Sequence, residues 1–229
     1  MAVAHDAHNE SHTGTTGSAS EASFAWDHVG GGSARAALVA VFSIQATPDD
    51  TGVTYGAVAM ALVAGSEAND TATEPGTVRF YFLDAVLTGT RQVVVSRVND
   101  ATVMYAISAT VTAAGAVEPF GVVLLEENQS PAQVNVDDGS PGTNSVRYAG
   151  GYYGAAGPPT AGSASTLLHN IDLTSFGCAM VRETTAGQGS RLIGFTNATS
   201  DDFAASHLAL REVVARVPRS TPYPQLLAH

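Results

Sequence analysis

The chain has no lysine: all ten of its cationic side chains are arginine, set against 21 aspartates and glutamates. A formal net charge of −11 argues against nucleic-acid binding, which is dominated by cationic groups that neutralise phosphates. Surplus like charge instead favours solubility at high local concentration. Cysteine is nearly absent too. The single residue, Cys178, excludes an intramolecular disulfide framework and any multi-cysteine zinc or iron–sulfur centre. Its setting, Phe176-Gly-Cys-Ala-Met-Val181, reads as a strand in which a lone thiol serves as a small buried hydrophobe. Long apolar runs are also missing. The longest, 36–44 and 53–64, fall well short of the roughly 20 residues a membrane-crossing helix needs, and the polar first residues lack the basic-then-apolar pattern of a secretion signal. Neither a membrane partner nor a signal-directed export route is expected.

Charged residues make up only 14% of the 229 positions and hydrophobic ones 45%, with Gly, Ala, Thr, Ser and Val dominant. That balance suits short strands joined by many turns, in one all-β domain with arms at its ends. The clearest periodicity is Thr102-Val-Met-Tyr-Ala-Ile-Ser-Ala-Thr-Val-Thr112. Its odd positions are apolar and its even positions largely small or hydroxylated, so one face suits a core and the other water or a polar neighbour. Arg35 to Ile44 is almost continuously apolar, as in a central strand covered on both faces. In Ala22 to His28, Phe24, Trp26 and His28 share a face. Val53 to Leu62 is interrupted at Gly56, which predicts a tight hairpin or bulge between two short strands.

Residues 78–83, 91–98 and 102–112 read as successive strands, with 84–90 turning the chain back and Asn99-Asp100 as a hairpin turn. His207-Leu-Ala-Leu-Arg-Glu-Val213 alternates, with Leu208 and Leu210 opposed to His207, Ala209 and Arg211. The expected fold is an antiparallel β-sandwich, jelly-roll-like, over residues 22–217. Residues 1–21 form a flexible, polar N-terminal arm, and 218–229, with three prolines in seven residues, an extended C-terminal tail.

Candidate chemistry is sparse. His5, His8, His12 and His28 have the residue type for a metal site, and the spacings of three and four suit one face of a helix. The Gly, Ser and Thr residues around them do not, so solvated histidines are expected and no metal is assigned. Asn135-Val-Asp-Asp-Gly-Ser140 has some of the oxygens of a calcium loop but neither its alternation nor its closing glutamate, which favours an Asx/Gly turn. Glu126 and Glu127 point to opposite faces of a strand and cannot act as a glycosidase pair by themselves. No nucleophile elbow is present, so no enzyme activity is expected. Gly150-Gly-Tyr-Tyr-Gly-Ala-Ala-Gly-Pro-Pro159 reads as a long loop, and Tyr148, Tyr152 and Tyr153 form the most binding-like cluster, able to stack on sugar rings. The competing reading packs one or more of these rings back onto the sandwich.

The blocks Phe24-Ala-Trp-Asp-His28, Ala37-Leu-Val-Ala-Val41, Val53-Thr-Tyr-Gly-Ala-Val-Ala-Met60 and Glu74-Pro-Gly76 through Phe80-Tyr-Phe82 follow in an order that resembles a family of phage and viral-metagenome virion proteins. The segments 135–142 and 182–191 look like further blocks of that family, and the resemblance spans about residues 20 to 215. It implies a β-sandwich structural subunit of a tailed bacteriophage particle, either a minor tail or fibre-associated protein or a head-decoration protein. Such a subunit assembles in the host cytoplasm and resides in the virion, without a cofactor. Its partners are other virion proteins and copies of itself, a homo-oligomer for which a trimer is one form. The alternative is a carbohydrate-binding module that recognises a host-surface glycan through Tyr152 and Tyr153.

Overall fold

The computed structural model describes residues 3–12, 22–71, 75–98, 103–126, 132–139, 144–154, 159–173, 176–196 and 203–213. In chain order the first strands are β1 (Ala4–His12), β2 (Ser23–Gly30), β3 (Ala34–Ser43), β4 (Asp50–Tyr55), β5 (Val58–Ala59), β6 (Ala61–Leu62), β7 (Ala68–Asp70), β8 (Gly76–Asp84) and β9 (Gly89–Arg97). They continue with β10 (Met104–Thr112), β11 (Val117–Glu126), β12 (Gln133–Asp137), β13 (Val146–Tyr153), β14 (Ser165–Leu173), β15 (Phe176–Glu183), β16 (Ser190–Gly194) and β17 (Phe203–Glu212). The protein is all-β, built from antiparallel sheets packed face to face.

A central sheet has the order β1-β10-β3-β8-β6, with β7 also on β8. Its strands β3 and β10 are buried on both faces, as the apolar run over 35–44 predicts. Alternation along β3 sends Leu38, Ala40 and Phe42 to one side and Ala37, Val39 and Val41 to the other. The first set meets a back sheet, β11-β17-β13-β15-β14, through Tyr148, Met180 and Leu208. The second meets a front sheet, β2-β9-β4-β5, through Phe24, Val53, Tyr55, Val93 and Val95. The outer face of the back sheet is covered in turn by a two-stranded ribbon, β12-β16, through Val136, Ile193 and Phe195. The order of layers is therefore front, central, back, ribbon.

Several expectations hold locally. Gly56 and Ala57 both have positive φ, 56° and 66°, the left-handed pair that a two-residue hairpin between β4 and β5 requires. On β17, Leu208 and Leu210 face the central sheet while Ala209 faces the ribbon. The polar face of β10 is buried against a polar neighbour and not in water: Ser108 Oγ accepts from Trp26 Nε1 (3.1 Å) and is bonded to His28 Nδ1 (2.8 Å).

Two expectations are corrected. Residues 78–83, 91–98 and 102–112 are not successive hairpin partners, since β8 and β10 lie in the central sheet with β3 between them, whereas β9 lies in the front sheet between β2 and β4. The chain crosses between layers at each connection, and the 99–100 turn lies outside the described residues. The N-terminal arm is not free over its first half. β1 adds to the edge of the central sheet along β10, and Val3, fully buried, plugs the core beside it. Residues 13–21 and the 218–229 tail lie outside the described residues.

Candidate functional site

The three tyrosines proposed as a binding cluster sit inside the sandwich. Tyr148, Tyr152 and Tyr153 are 0%, 2% and 3% exposed, and the segment read as a Gly/Tyr loop is strand β13 up to Tyr153. The glycines explain the difference. A Cβ on Gly150 would lie 2.9 Å from Val78 Cγ2, and one on Gly151 would lie 2.7 Å from the Phe195 ring. These positions are bare so that the central sheet and the ribbon can close on β13 from both sides, a use of glycine in strands distinct from turning. Tyr152 lies over Gly76, where a Cβ would fall 2.0 Å from its ring, and its hydroxyl donates to Pro75 O (3.2 Å). Tyr153 meets Phe195 and Phe203 edge-on, and burial pushes its phenol well above the ordinary value. No sugar-stacking platform is made from these rings.

Within the described part of the segment 135–140, residues 135–139, the Asx turn forms: Gly139 N–H donates to Asp137 Oδ1 (2.9 Å). Its other carboxylate, Asp138, is buried and committed to protein groups, accepting from Ser145 Oγ and from Gly189 N–H (3.0 Å). The positive charge beside it is Arg147, fully buried, whose Nη2 lies 3.5 Å from Asp138 Oδ2 and whose Nη1 donates to Glu183 Oε2 (3.0 Å). Arg147 also donates to the carbonyls of Val136 (2.8 Å) and Gly187 (3.1 Å). With a further bond from Arg147 Nη2 to Gly189 O, three charges and three carbonyls fasten the ribbon and the 184–189 turn to the back sheet. With two acids around one arginine, burial pushes the Glu183 carboxyl up to about 7 although Arg147 pulls it down. A cavity of about 340 Å³, lined by Glu183, Thr184, Thr185, Arg191, Ala164 and Leu192, lies alongside. Both Glu183 oxygens accept from Arg147, so this carboxylate anchors the fold and does not face a ligand. Nothing in the sequence marked Arg147 as buried; only the surrounding apolar strand gave a signal.

The histidines are brought together in part. A one-residue bulge between His5 and Ala7 lets residues three apart share a strand face, so the spacing that suits a helix is met here by β structure. His5 Nε2 lies 3.4 Å from His8 Nδ1, and His5 Nδ1 is hydrogen-bonded to Tyr148 Oη (2.9 Å). Burial, reinforced by Arg182 and His8, pushes His5 down to about 4. His28 sits on the opposite side of the central sheet, bonded to Ser108 and Thr110. Among the described residues no group of three or more His, Cys, Asp or Glu side chains is arranged to hold a metal ion.

The feature that the sequence reading missed is at the sheet edges. One edge of the central–back sandwich is closed where β1 meets β14, with Glu10 Oε1 3.6 Å from His169 Nδ1. At the other edge, β6 and β11 terminate their sheets, and hydrogen bonds tie β11 and the turn before it to the central sheet: Val117 N–H donates to Asp84 Oδ1 (3.2 Å), Asn69 N–H to Glu126 Oε1 (3.2 Å) and Arg35 Nε to Gly115 O (2.9 Å). Between these ties lies an open groove of about 270 Å³ lined by Ala61, Leu62, Val63, Phe82, Pro119 and Val122. Every lining side chain is apolar, and Leu62 is 45% exposed.

β11 is shaped to make this groove. Gly121 has φ of 63°, and the register with β17 breaks between Phe120 and Val123. The break turns Val122 and Leu124 toward the central sheet and leaves Val123 and Leu125 for the ribbon side. A Cβ at Gly121 would lie 2.0 Å from Asp137 O, so the bulge needs glycine at that position. Pro119 removes a donor from β11, a device found on edge strands. Pro119 and Gly121 inside an otherwise apolar strand were the signal available in the sequence.

Comparison of the chain with protein-family models, with curated proteins and with solved structures finds no match.

Proposed function

We propose that this chain is a structural subunit of a tailed bacteriophage particle, associated with the tail or its fibres or decorating the head, that works through contacts with copies of itself and with other virion proteins. The observation that carries the reading is the open apolar edge between β6 and β11. Exposed apolar groups gathered at one place mark association surfaces more often than they occur by chance on monomers. An edge at which two sheets stop without pairing also offers backbone groups to an incoming strand. The order of sequence blocks, which resembles virion proteins, supports the same reading independently. The body is stiffened by buried ion pairs and close sheet packing, which suits a particle component.

The carbohydrate-binding alternative depended on Tyr148, Tyr152 and Tyr153 as exposed rings, and all three are core residues. Among the described residues the exposed large apolar side chains are six aliphatics and Phe120, and the Phe120 ring is covered by the Arg211 guanidinium at 3.5 Å. Aliphatic groups give no stacking face to a sugar. The test is the mass of the full chain in solution by light scattering over a wide concentration range. A discrete oligomer supports the subunit reading. A monomer at every concentration refutes self-assembly.

A further inference from the structure

We propose that the groove between β6 and β11 is the receptor for the C-terminal segment 218–228 of a second copy of this chain, so that neighbouring subunits are joined by exchanged tails. The inference rests on the subunit reading above and names the contact that would carry it.

Charge is the first argument. Segment 214–229 holds Arg216 and Arg219 and no acid, which leaves eight arginines against 21 acids, a net −13, on residues 1–213. Of the acids at the ends of the groove, Asp84 is ion-paired with Arg35 and Glu67 with Arg79, while Glu126 accepts from the neutral Asn69 N–H (3.2 Å) and supplies the local negative charge. The tail is the one terminal stretch whose charge is opposite to that of the body it would meet. Its remaining side chains suit the floor. Pro218, Pro222, Tyr223, Pro224, Leu226 and Leu227 are apolar, and three prolines within 218–224 restrict the freedom of the unbound backbone, which reduces the entropy lost on docking.

Direction supplies the second argument and selects a partner over the chain's own body. β17 runs antiparallel to β11, with Glu212 opposite Val117, and Val213 N–H donates to Ala116 O (2.8 Å). The chain therefore leaves the sheet past the start of β11, heading away from Pro119 and Val122. To reach its own groove it would have to reverse, and the first turn-forming residues after Val213 are Pro218 and Ser220, inside the segment that would dock, so a reversal there would use up part of it. Continuing outward, an extended segment of eleven residues spans about 34 Å, ample to cross into an adjacent subunit.

Cross-linking of full-length chains tests this. Leu62→Cys places a thiol at the groove and Leu227→Cys one in the tail; the native Cys178 is fully buried and stays out of the reaction. Mixing the two single variants under mild oxidation is expected to give a covalent heterodimer at least tenfold faster than mixing Leu227→Cys with Val29→Cys, an exposed position on the front sheet. Equal rates overturn the proposal. A double Leu62→Cys/Leu227→Cys chain that closes only within itself also overturns it, by placing the tail on its own body. Light scattering on the unaltered chain separates the two levels: an oligomer without preferential cross-linking removes tail exchange and leaves the subunit reading standing, whereas a monomer without cross-linking removes both.

Discussion

Acid should unfold this protein in a pH range where most carboxylates are still ionised, because three histidines are held neutral by the fold. His207 is the cleanest case. It is fully buried on β17, its Nδ1 is hydrogen-bonded to Val123 O (3.2 Å), and desolvation pushes it from 6.5 down to about 4 despite the carbonyls of Val123 and Ala132. His28 and His5 are likewise held near 4. The folded-state value is depressed in each, so the stabilising contribution is complete above pH 6.5 and is lost as pH falls from 6.5 through 4. For His207 alone the shift corresponds to about 3 kcal/mol. Glu183 works in the opposite sense: raised from 4.5 to about 7, it stabilises the folded state at low pH and loses that contribution as pH rises through 7. Three histidines against one carboxyl leave roughly two more protons bound by the unfolded chain, a slope of about 2.7 kcal/mol per pH unit near pH 5. Over the 2.5 units from pH 6.5 to 4 this removes about 7 kcal/mol, enough to unfold a domain at the lower end of the usual range of about 5–15 kcal/mol. Urea midpoints followed by the fluorescence of Trp26, the only tryptophan, should fall steeply between pH 6.5 and 4.5. His207→Asn keeps a donor for Val123 O, lowers the midpoint at every pH and reduces the slope by about one proton. A flat profile, or an unchanged slope in His207→Asn, would refute the reasoning.

Arg147→Met leaves Asp138 and Glu183 buried without their cation and should cost about 3–5 kcal/mol, read as a drop in urea midpoint at pH 7.5. Because Glu183 is nearer neutral at pH 5.5, the loss should be smaller there. Gly76→Ala drives a methyl into the Tyr152 ring and should destabilise by about 1–3 kcal/mol; the double change Gly76→Ala/Tyr152→Leu should recover part of this in thermal melts, and failure to recover it would point to backbone strain instead. Cys178 is fully buried and its thiol is pushed well above the ordinary value, so a thiol reagent at pH 8 should react only at the rate of unfolding. Amides of β10 that pair with β1 should exchange faster at pH 5 than those pairing with β3 once rates are corrected for intrinsic chemistry. The reason is that His5 and His8 are held below their ordinary value in the folded chain and take up protons once β1 detaches, so detachment becomes easier as pH falls below 6.5; equal protection on both sides of β10 would contradict this.

Period and turn chemistry made most individual strands legible. The apolar run at β3 announced a doubly covered strand, and the interruption at Gly56 announced a hairpin. Which layer a strand joins was not legible. Alternation in β8, β9 and β10 fixes the two faces of each strand and says nothing about which neighbours it pairs with, so adjacency in sequence was read as adjacency in space. The polar β1 escaped notice for a related reason. It has little apolar surface of its own to bury, and it is held by the edge of β10 together with Asp6 to Gly31 N–H (2.7 Å), Asn9 to Val29 N–H (3.1 Å) and the buried Val3.

The candidate surface was hidden by the same degeneracy. Gly150 and Gly151 make Tyr148, Tyr152 and Tyr153 look like a loop cluster, because glycine serves turning and close approach equally and sequence does not separate the two. In β13 the purpose is close approach, with Val78 and Phe80 on one side and Phe195 on the other, and the rings become core. Leu62 and Val122 sit in segments that read as core yet form an open groove, since exposure there depends on β6 and β11 both being terminal strands of their sheets. Aromatic content pointed to the interior and ordinary aliphatics form the surface. A search of such sequences for binding sites is better directed at proline and glycine within edge strands, as at Pro119 and Gly121, than at tyrosine clusters beside paired glycines.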